Sequence, residues 1–331
     1  MTDTYQDIEI RGITRRFGLN MLKSSKVASL YRTNAVIQVQ TSAGVYALKP
    51  FFRSDLLHSS TVKQMSAAAR YVRLLMSSGY RYMPEWLPAR SGALWILSRG
   101  RPFYLTEWIP GRGLETTGDF EQLGMALAAL HTTPTGINSG NQSPTYEKIR
   151  LWKNHDRLAR KHMPRSFKGG NRRKVCKHGE ACSALSDRAW TSLANPDIVQ
   201  LMKNEMMHPS LIHGDVTSPN VIVSEDGRLF MIDWDRIRIG STYIDTANAI
   251  MNTTQFNPDF IQSLLKGYEA GRPLIQAERK LIAALYGLPR EAWSAYRFPG
   301  RPKSRELLRL TKQTWPQRVK AMELLAAWSN S

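Results

Sequence analysis

The sequence predicts an α+β protein with a small strand-rich N-terminal part and a larger, mostly helical C-terminal part. Apolar and polar residues alternate over 35–49, further strand-like segments follow at 93–109, and helical spacing of apolar residues dominates after about residue 110. A chain of 331 residues with 42% hydrophobic content is long enough for two lobes, each with its own core. We expect these lobes at residues 1–107 and 108–331.

Composition limits the classes of protein to consider. Two cysteines, Cys176 and Cys182, are too few for a disulfide framework and fit a reducing compartment. The first residues, MTDTYQDIEIRG, are polar and acidic, whereas a signal peptide is basic and then apolar. No apolar run approaches the roughly 18 residues of a membrane span. We therefore expect a cytoplasmic protein that folds without disulfides.

The N-terminal part is expected to hold two hairpins and one helix. Residues 35–49, AVIQVQTSAGVYALK, alternate on both sides of a TSAG turn and predict the first hairpin. In residues 61–78 apolar side chains recur every three or four positions, which predicts a helix with one buried stripe. The second hairpin is expected from 93–98 and 102–109, joined by a Gly-Arg turn.

The C-terminal part is expected to be helical with one short return to strands. Residues 118–131 predict a helix with Asp119 as its N-cap. After Asp245 the sequence is helical throughout, with Pro and Gly breaks near 271–273, 287–289 and 299–302.

The net charge of +19 is concentrated in an insertion at about 141–180. This stretch holds twelve Lys or Arg against three acids. A flexible, solvated loop is the interpretation we favour, since charge runs are commonly solvated. An anionic ligand or acceptor, or a nucleic acid stacked on Trp152 and Phe167, is the alternative. Zinc binding by Cys176, His178 and Cys182 is disfavoured, because their spacing matches no established ligand pattern.

The segment LIHGDVTSPNVIVSEDGRLFMIDWD, residues 211–235, carries the chemistry of the chain. A Ser-Glu-Asp-Gly turn separates two apolar strands, so the hairpin brings its two ends together. Asp215 and Asn220 precede the first strand, and Asp233 and Asp235 follow the second. Converging acids repel one another unless a cation lies among them, and oxygen ligands suit Mg²⁺. The sequence therefore predicts a magnesium site.

These residues resemble those of a known family. His213-Gly214-Asp215, Asn220 five residues later, and Ile232-Asp233-Trp234 are similar to the catalytic core of aminoglycoside phosphotransferase and choline kinase-like enzymes, which are relatives of protein kinases. Ala47-Leu48-Lys49, YLTEWIPGR at 104–112 and Tyr243-Ile244-Asp245 agree with that pattern. The resemblance implies a two-lobed protein kinase-like fold.

Within that family, looser motifs resemble the CotS-type spore-coat proteins of endospore-forming bacteria. They are YLTEWIPGR, the doublet Asp233-Trp234-Asp235, KGYEAGRPL at 266–274 and GLPREAW at 287–293. This likeness implies a link to the spore coat and to spore-coat partner proteins.

The family resemblance implies a role for each site residue, with ATP and Mg²⁺ as cofactors. Asp215 would take the proton of the acceptor hydroxyl, and Asn220 and Asp233 would hold Mg²⁺. Asp235 is either a further metal ligand or an exposed loop acid. Lys49 would contact the α- and β-phosphates of ATP. The adenine would lie against Ala47 and the backbone of Glu107, Trp108 and Ile109, and His213 and Asp245 would support the catalytic loop.

The sequence departs from the family pattern twice. The helix at 61–78 contains no acid to pair with Lys49, and Gln64 is its nearest polar substitute. The segment TNAVIQVQTSAG, residues 33–44, has no Gly-rich pattern to cradle phosphates.

The expected activity is transfer of phosphate to the hydroxyl of a small molecule. Only eleven residues separate Asp233 from Asp245, which leaves no room for the long activation segment that docks a peptide. The main alternative is a catalytically idle kinase-like protein with a structural or assembly role in the spore coat. A polyanion-binding protein is the third hypothesis.

Overall fold

The structure, a computed structural model, describes residues 5–27, 36–51, 58–136, 143–163, 172–298 and 301–331. The chain divides into two compact units. The first unit comprises Met1–Leu114 and His213–Arg238, and the second comprises Glu115–Ile212 and Ile239–Ser331. The acid-bearing hairpin therefore belongs to the same unit as the N-terminal strands, whereas the sequence placed a single boundary after residue 107.

The helices and strands of the described residues cover both units. In chain order the elements are α1 (Asp7–Arg16), β1 (Met21–Val27), β2 (Val36–Thr41), β3 (Gly44–Pro50), α2 (His58–Ser77), β4 (Ile96–Ser98), β5 (Arg101–Glu107), β6 (Gly111–Arg112), α3 (Thr117–His131), α4 (Pro144–His162), α5 (Arg172–Leu193), α6 (Pro196–Asn204), β7 (Ser210–Ile212), β8 (Val221–Ser224), β9 (Leu229–Met231), β10 (Arg238–Gly240), α7 (Thr242–Thr253), α8 (Pro258–Gly271), α9 (Gln276–Gly287), α10 (Arg290–Arg297), α11 (Pro302–Gln313) and α12 (Trp315–Asn330).

An antiparallel five-stranded sheet forms most of the first unit, with the strand order β1-β2-β3-β5-β4. One face of this sheet is buried, because Ile37, Leu48 and Leu105 are fully inaccessible and pack in one core with α1. The predicted first hairpin is confirmed as β2 and β3, apart from residue 35, which lies outside the described residues. Strand β1 was not predicted from sequence, since MLKSSKV is mostly exposed and polar.

The second predicted hairpin is confirmed as β4 and β5, although β4 begins only at Ile96. Arg99 and Gly100 form its turn with φ of 45° and 75°. Consecutive left-handed residues match the twist of a tight hairpin, and glycine adopts this conformation at little cost. The predicted helix at 61–78 is confirmed as α2, which begins one turn earlier.

The acid-bearing hairpin is formed by β8 and β9, and β6 pairs on its other side. Val221 faces Met231 in the register, and Gly227 occupies the left-handed region at the turn with φ of 78°. The strand, turn and strand predicted from sequence are confirmed. The 3-10 turns Ser218–Asn220 and Trp234–Arg236 flank the two strands at their open end.

The second unit consists of helices and a two-stranded sheet of β7 and β10. The predicted helix breaks near 271–273 and 287–289 are confirmed, since α8 and α9 end there. For the break predicted at 299–302, α10 ends at Arg297 and α11 begins at Pro302, and residues 299 and 300 lie outside the described residues. Helices α3 and α8 pack closely, because a Cβ atom on Gly124 would lie 2.0 Å from the Leu264 carbonyl oxygen. The N-cap of α3 is Thr116, which corrects the prediction of Asp119: the Asp119 carboxylate instead closes a capping box from position N3.

The basic stretch at 141–180 corrects another expectation. Residues 144–162 form α4, and α5 begins at Arg172, so the solvated-loop interpretation is wrong for both segments. Helix α4 begins at a Ser143 cap followed by proline, and it buries Ile149 and Ala159. The high charge of the exposed positions concealed this narrow apolar stripe in the sequence. Phe167 and the side chain of Cys176 lie outside the described residues.

No helix in the described part of the chain is long and apolar enough to cross a membrane.

Candidate active site

The two ends of the acid-bearing hairpin are tied together by its backbone and by His213. The Ile232 amide donates to the carbonyl of Asn220 at 2.9 Å, next to the last ladder pair. The fully buried His213 ring donates through Nε2 to the Ile232 carbonyl at 3.0 Å and accepts from the Asp215 amide at Nδ1. The ring edge also contacts Trp234. A neutral imidazole with one donor and one acceptor thus holds both ends of the segment.

Gly214 allows the chain to turn sharply between His213 and Asp215. Its φ is +79°, and a Cβ atom there would lie 2.3 Å from Nη1 of Arg238 and 2.8 Å from the carbonyl oxygen of Arg236. Only glycine fits this conformation and this space. The turn presents the Asp215 carboxylate, which is 41% exposed, at 3.6 Å from Nε of Arg236.

The Asn220 side chain is oriented by the same loop. Its Nδ2 donates to the backbone carbonyl of Asp215 at 2.9 Å. The donating end of the amide is therefore fixed on the loop, and Oδ1 is the end left to accept or to bind a cation.

Asp233 has the left-handed conformation at φ 65° and ψ 55°. Such backbone strain in a non-glycine residue costs about 1–3 kcal/mol and is concentrated at functional positions. The side chain is 35% exposed, and its Oδ1 lies 2.5 Å from Nζ of Lys49 in β3. Burial alone would raise the pKa of Asp233, but the Lys49 ammonium outweighs burial and lowers it.

Lys49 lies between two carboxylates and an aromatic ring. Its Nζ is 4.0 Å from Oδ1 of Asp235 and 5.8 Å from the centre of the Tyr104 ring. Tyr104 is the residue directly opposite Lys49 in the β3–β5 register, and its hydroxyl donates to Oδ1 of Asp235. Burial alone would lower the pKa of Lys49, but the charges of Asp235 and Asp233 outweigh it and raise the pKa. Lys49 is therefore a charged ammonium at neutral pH.

The residues fit a magnesium ion in part. Carboxylate and amide oxygens are the ligands Mg²⁺ prefers, and the free end of Asn220 and the partly exposed Asp233 carboxylate offer them. Asp235 fits this role less well, because its Oδ1 already accepts from Tyr104 and lies near Lys49. Among the described residues no group of three or more His, Cys, Asp or Glu side chains is arranged to hold a metal ion.

The residues predicted to receive adenine lie at the end of β5 and beside it in β3. Ala47 faces Thr106 in the register and is partly buried. The amide of Glu107 donates to the Glu85 carbonyl, and the amide of Trp108 donates to the Val45 carbonyl at 3.1 Å. These two amides are thus used within the fold. The Ile109 amide has no acceptor in the described part of the chain, so it is the remaining backbone donor of the predicted set.

Asp245 lies in the second unit, at the start of α7. Its Oδ2 is 3.3 Å from Nε2 of His131, and its side chain is 1% exposed. The structure thus places Asp245 in a buried polar network, and its predicted support of the catalytic loop stays a prediction.

Sequence reasoning missed Tyr104 and Arg236. Counting the strand register of two hairpins would have placed Tyr104 beside Lys49, because residues in adjacent strands share a face when they pair. Arg236 lies one residue after the acidic doublet, and only the 3-10 turn brings its side chain back toward Asp215.

Comparison with solved structures shows that the chain has a protein kinase-like fold. It is similar to an aminoglycoside phosphotransferase from Alicyclobacillus acidocaldarius subsp. acidocaldarius DSM 446, with 14% identity, coverage of 96% of each chain and a TM-score of 0.79. It is also similar to spectinomycin phosphotransferase APH(9)-Ia, crystallised with ADP and spectinomycin, with 16% identity, coverage of 98% and 95%, and a TM-score of 0.61. The macrolide 2'-phosphotransferase MphH from Brachybacterium faecium gives 17% identity, coverage of 96% and 97%, and a TM-score of 0.51.

A family model described as the phosphotransferase enzyme family matches residues 27–281. This match covers most of the chain and includes all the site residues discussed above. The protein therefore belongs to the phosphotransferase enzyme family.

Proposed function

We propose that this protein transfers the γ-phosphoryl group of ATP to a hydroxyl group of a small molecule, with Mg²⁺ as cofactor. The observation that carries the proposal is the contact between Lys49 of β3 and Asp233 after β9, at 2.5 Å. Lys49 and the strained Asp233 thus meet within one unit of a chain that belongs to the phosphotransferase enzyme family. Crystallisation of the spectinomycin phosphotransferase with ADP supports nucleotide binding in this family.

Each polar side chain of the site then has one task. Lys49 binds the α- and β-phosphate oxygens as a fixed positive charge. Asp215 accepts the proton of the acceptor hydroxyl as that oxygen forms its bond to the γ-phosphorus. The bond from the γ-phosphorus to the bridging oxygen breaks, and ADP leaves. Because this reaction needs mainly positioning and charge neutralisation, rigid placement of these groups supplies most of the catalysis.

Asp233 and Asn220 are the residues that would hold Mg²⁺. The ion neutralises phosphate charge when it is bound. The hydrogen bond from Asn220 to the Asp215 backbone fixes the amide, so the metal-binding oxygen and the proton acceptor belong to one rigid loop. Adenine would be received by the Ile109 amide and the Glu107 carbonyl, with Ala47 beneath the ring.

Thermal unfolding with nucleotide tests the proposal. A ligand that binds only the folded state raises stability by RT ln(1 + [L]/Kd), which is about 2.7 kcal/mol at a hundredfold excess over Kd. We expect Mg-ATP to raise the melting temperature of the wild type, and Asp233→Asn to abolish that rise. Asp215→Asn should retain the rise and lose turnover in a screen of hydroxyl compounds for ATP consumption.

Asp226→Asn is the matched control, since Asp226 lies exposed in the turn of the same hairpin. It should respond to Mg-ATP as the wild type does. A wild type whose melting temperature is unchanged by every nucleotide and divalent ion tried would contradict the proposal. That result would favour the alternative read from sequence, an idle kinase-like protein of the spore coat; the CotS-type likeness and the spore-coat partners stay predictions.

A cationic surface on α4, α10 and the chain after α10 favours a second role, binding of an anionic molecule. The guanidinium groups of Arg297 and Arg301 lie over the ring of the exposed Phe298, at 4.9 and 4.4 Å from its centre. Burial, Arg297 and Lys148 together lower the pKa of His155, which shows that positive charges of α4 and α10 converge. Residues 297–320 hold eight Lys or Arg and one acid.

Retention on heparin tests this second role. We expect binding that weakens steeply with salt, because each released counterion contributes to the slope. A triple variant with Arg297, Arg301 and Lys303 changed to Gln should lose most of the retention. The matched control neutralises Arg11, Arg16 and Lys23 of the first unit. Equal retention of both variants would contradict a localised anion-binding surface.

A further inference from the structure

We propose that Asp235 and Tyr104 form the anchor that holds Lys49 in place, a task that no acid of α2 performs. The inference rests on the proposed function of this site. It makes Asp235 and Tyr104 positioning residues, and it replaces the sequence hypothesis that Asp235 is a metal ligand.

Helix α2 supplies no charge partner for Lys49. Its sequence, HSSTVKQMSAAARYVRLLMS, has no Asp or Glu, although it packs against β5 and the 3-10 turn Trp234–Arg236. Gln64, the polar substitute expected from sequence, leaves its Oε1 buried with no hydrogen-bond partner in the described part of the chain. The acids near Lys49 come from the hairpin end instead.

The two acids beside Lys49 have different surroundings. Asp233 is 35% exposed and lies closer to the ammonium, whereas Asp235 is 11% exposed and accepts the Tyr104 hydroxyl. A carboxylate held by a second donor has fewer orientations, and the oxygen that accepts the Tyr104 hydroxyl has one lone pair fewer to offer a metal ion. When Asp233 turns to a cation, Asp235 therefore remains as the charge partner of Lys49.

The Tyr104 side chain is itself held in place, so it can fix the position of the Asp235 carboxylate. Its ring is stacked on Trp86 with centres 4.1 Å apart and planes 1° from parallel, and both residues are almost fully buried. Because Tyr104 is paired with Lys49 in the β3–β5 register, strand pairing places the two side chains next to each other on the sheet. The Trp86 stack then fixes the direction of the hydroxyl toward Asp235.

Oδ1 of Asp235 lies 4.0 Å from Nζ of Lys49, and the Asp235 side chain is 11% exposed. A well-buried carboxylate at this distance from an ammonium is poorly screened by water. The anchor thus combines one opposite charge, one hydroxyl donor and one aromatic stack.

Nucleotide titration of four variants tests the anchor, with binding of ATP measured calorimetrically in the presence and absence of Mg²⁺. We expect Asp235→Asn to weaken ATP binding about tenfold under both conditions, since a hydrogen bond or ion pair to a charged group carries that order of effect. Tyr104→Phe keeps the Trp86 stack and should weaken binding about threefold to tenfold. Asp235→Glu should recover most of the loss, and the Asp235→Asn, Tyr104→Phe double variant should be no weaker than Asp235→Asn alone.

The magnesium dependence separates anchoring from metal binding. Asp233→Asn should remove the gain in ATP affinity that Mg²⁺ gives. In Asp235→Asn the ratio of the ATP dissociation constants without and with Mg²⁺ should equal that of the wild type. Tyr46→Phe, on the same strand as Lys49, and Asp226→Asn are the controls and should bind as the wild type does. Loss of the Mg²⁺ gain in Asp235→Asn, or wild-type affinity in both Asp235→Asn and Tyr104→Phe, would overturn the inference.

A nucleotide-free measurement keeps this inference distinct from the proposed function. In a double-mutant cycle of Lys49→Met and Asp235→Asn, followed by urea unfolding, the two changes should be non-additive because the side chains interact. Additive effects would overturn the anchor whatever the nucleotide result. If the two changes are non-additive but the wild-type protein binds no nucleotide, the anchor is supported and the proposed function is rejected.

Discussion

Two polar clusters in this protein differ in backbone strain and in exposure to solvent. The site cluster, Lys49, Tyr104, Asp233 and Asp235, carries a strained backbone and a carboxylate that is 35% exposed. The network of the helical unit has no such opening. Its members are joined by hydrogen bonds, and all are buried except the partly buried Arg272: His131, Tyr243, Asp245, Tyr268, Arg272 and Glu278.

The hydrogen bonds of the helical-unit network form a continuous series from one side chain to the next. Arg272 donates to the Tyr268 hydroxyl, Tyr268 donates to Nδ1 of His131 at 2.8 Å, and Nε2 of His131 donates to Asp245. Burial lowers the pKa of His131, which agrees with a neutral ring in this chain. The comparison teaches that a closed network stabilises a fold, whereas a polar cluster with a strained, half-open member is suited to bind something else.

Removing a carboxylate from the helical-unit network should give the largest loss of stability. Glu278 accepts from Tyr243 at 2.9 Å, from Arg272 at 2.7 Å and from the Ile275 amide. Because Glu278→Ala leaves a mostly buried guanidinium without its partner, we expect the free energy of unfolding to fall by about 3–5 kcal/mol in urea. Glu121→Ala, which removes an exposed pair with Lys266, is the control and should cost less than about 1 kcal/mol. A loss of similar size in both variants would break the comparison.

Acid should destabilise the helical unit through His178. Burial, with Lys312 and Arg318 nearby, lowers the pKa of His178 to about 4. Its folded pKa lies below the unfolded value of 6.5, so its contribution to stability is complete above pH 6.5 and is lost as pH falls toward 4. By linkage the full amount is roughly 3 kcal/mol.

The measurement is the free energy of unfolding between pH 7 and 4.5 for the wild type and for His178→Gln. The variant should have the shallower slope. Parallel curves for His178→Gln and the wild type would show that the His178 ring is not buried as a neutral group.

Backbone strain at Gly214, between His213 and Asp215, should rank next. Gly214→Ala places a methyl group against Arg236 and Arg238 and forces alanine into the left-handed region, so we expect a loss of about 2 kcal/mol. Gly79→Ala is a matched control, because Gly79 has a φ of +71° and open space around its Cβ position. It should cost about 1 kcal/mol from the conformation alone. Equal losses would mean that the loop near Gly214 can move aside.

Arg236→Met should give the smallest change in stability. Arg236 and Asp215 are each more than 40% exposed and 3.6 Å apart, so we expect a loss below about 0.5 kcal/mol in urea unfolding. Turnover should nevertheless fall about threefold to tenfold, since Arg236 orients the Asp215 carboxylate. A variant with a large stability loss and unchanged turnover would place Arg236 among the structural residues.

The sequence predicted much of this architecture because its strongest signals are local. Strand alternation over 36–49, the turn at Ser224–Gly227 and the proline and glycine breaks after Asp245 each depend on neighbouring residues alone. Helix α4 and the start of α5 were missed because the sequence from 141 to 180 is rich in charge, so only contacts with other helices reveal the narrow buried stripe of α4. The N-cap of α3 was misplaced for a different reason, since Thr116 and Asp119 both satisfy the local capping pattern.

Sequence by itself determined the fold class, the hairpin that carries the acids, and the residue types that could hold a magnesium ion. Tertiary structure decided which of these groups meet: Tyr104 reaches Asp235 across 131 residues of chain, and Asp233 and Asp235 lie beside Lys49. Secondary structure follows from the periodicity of one segment, but the partner of a buried charge is chosen by the packing of separate segments.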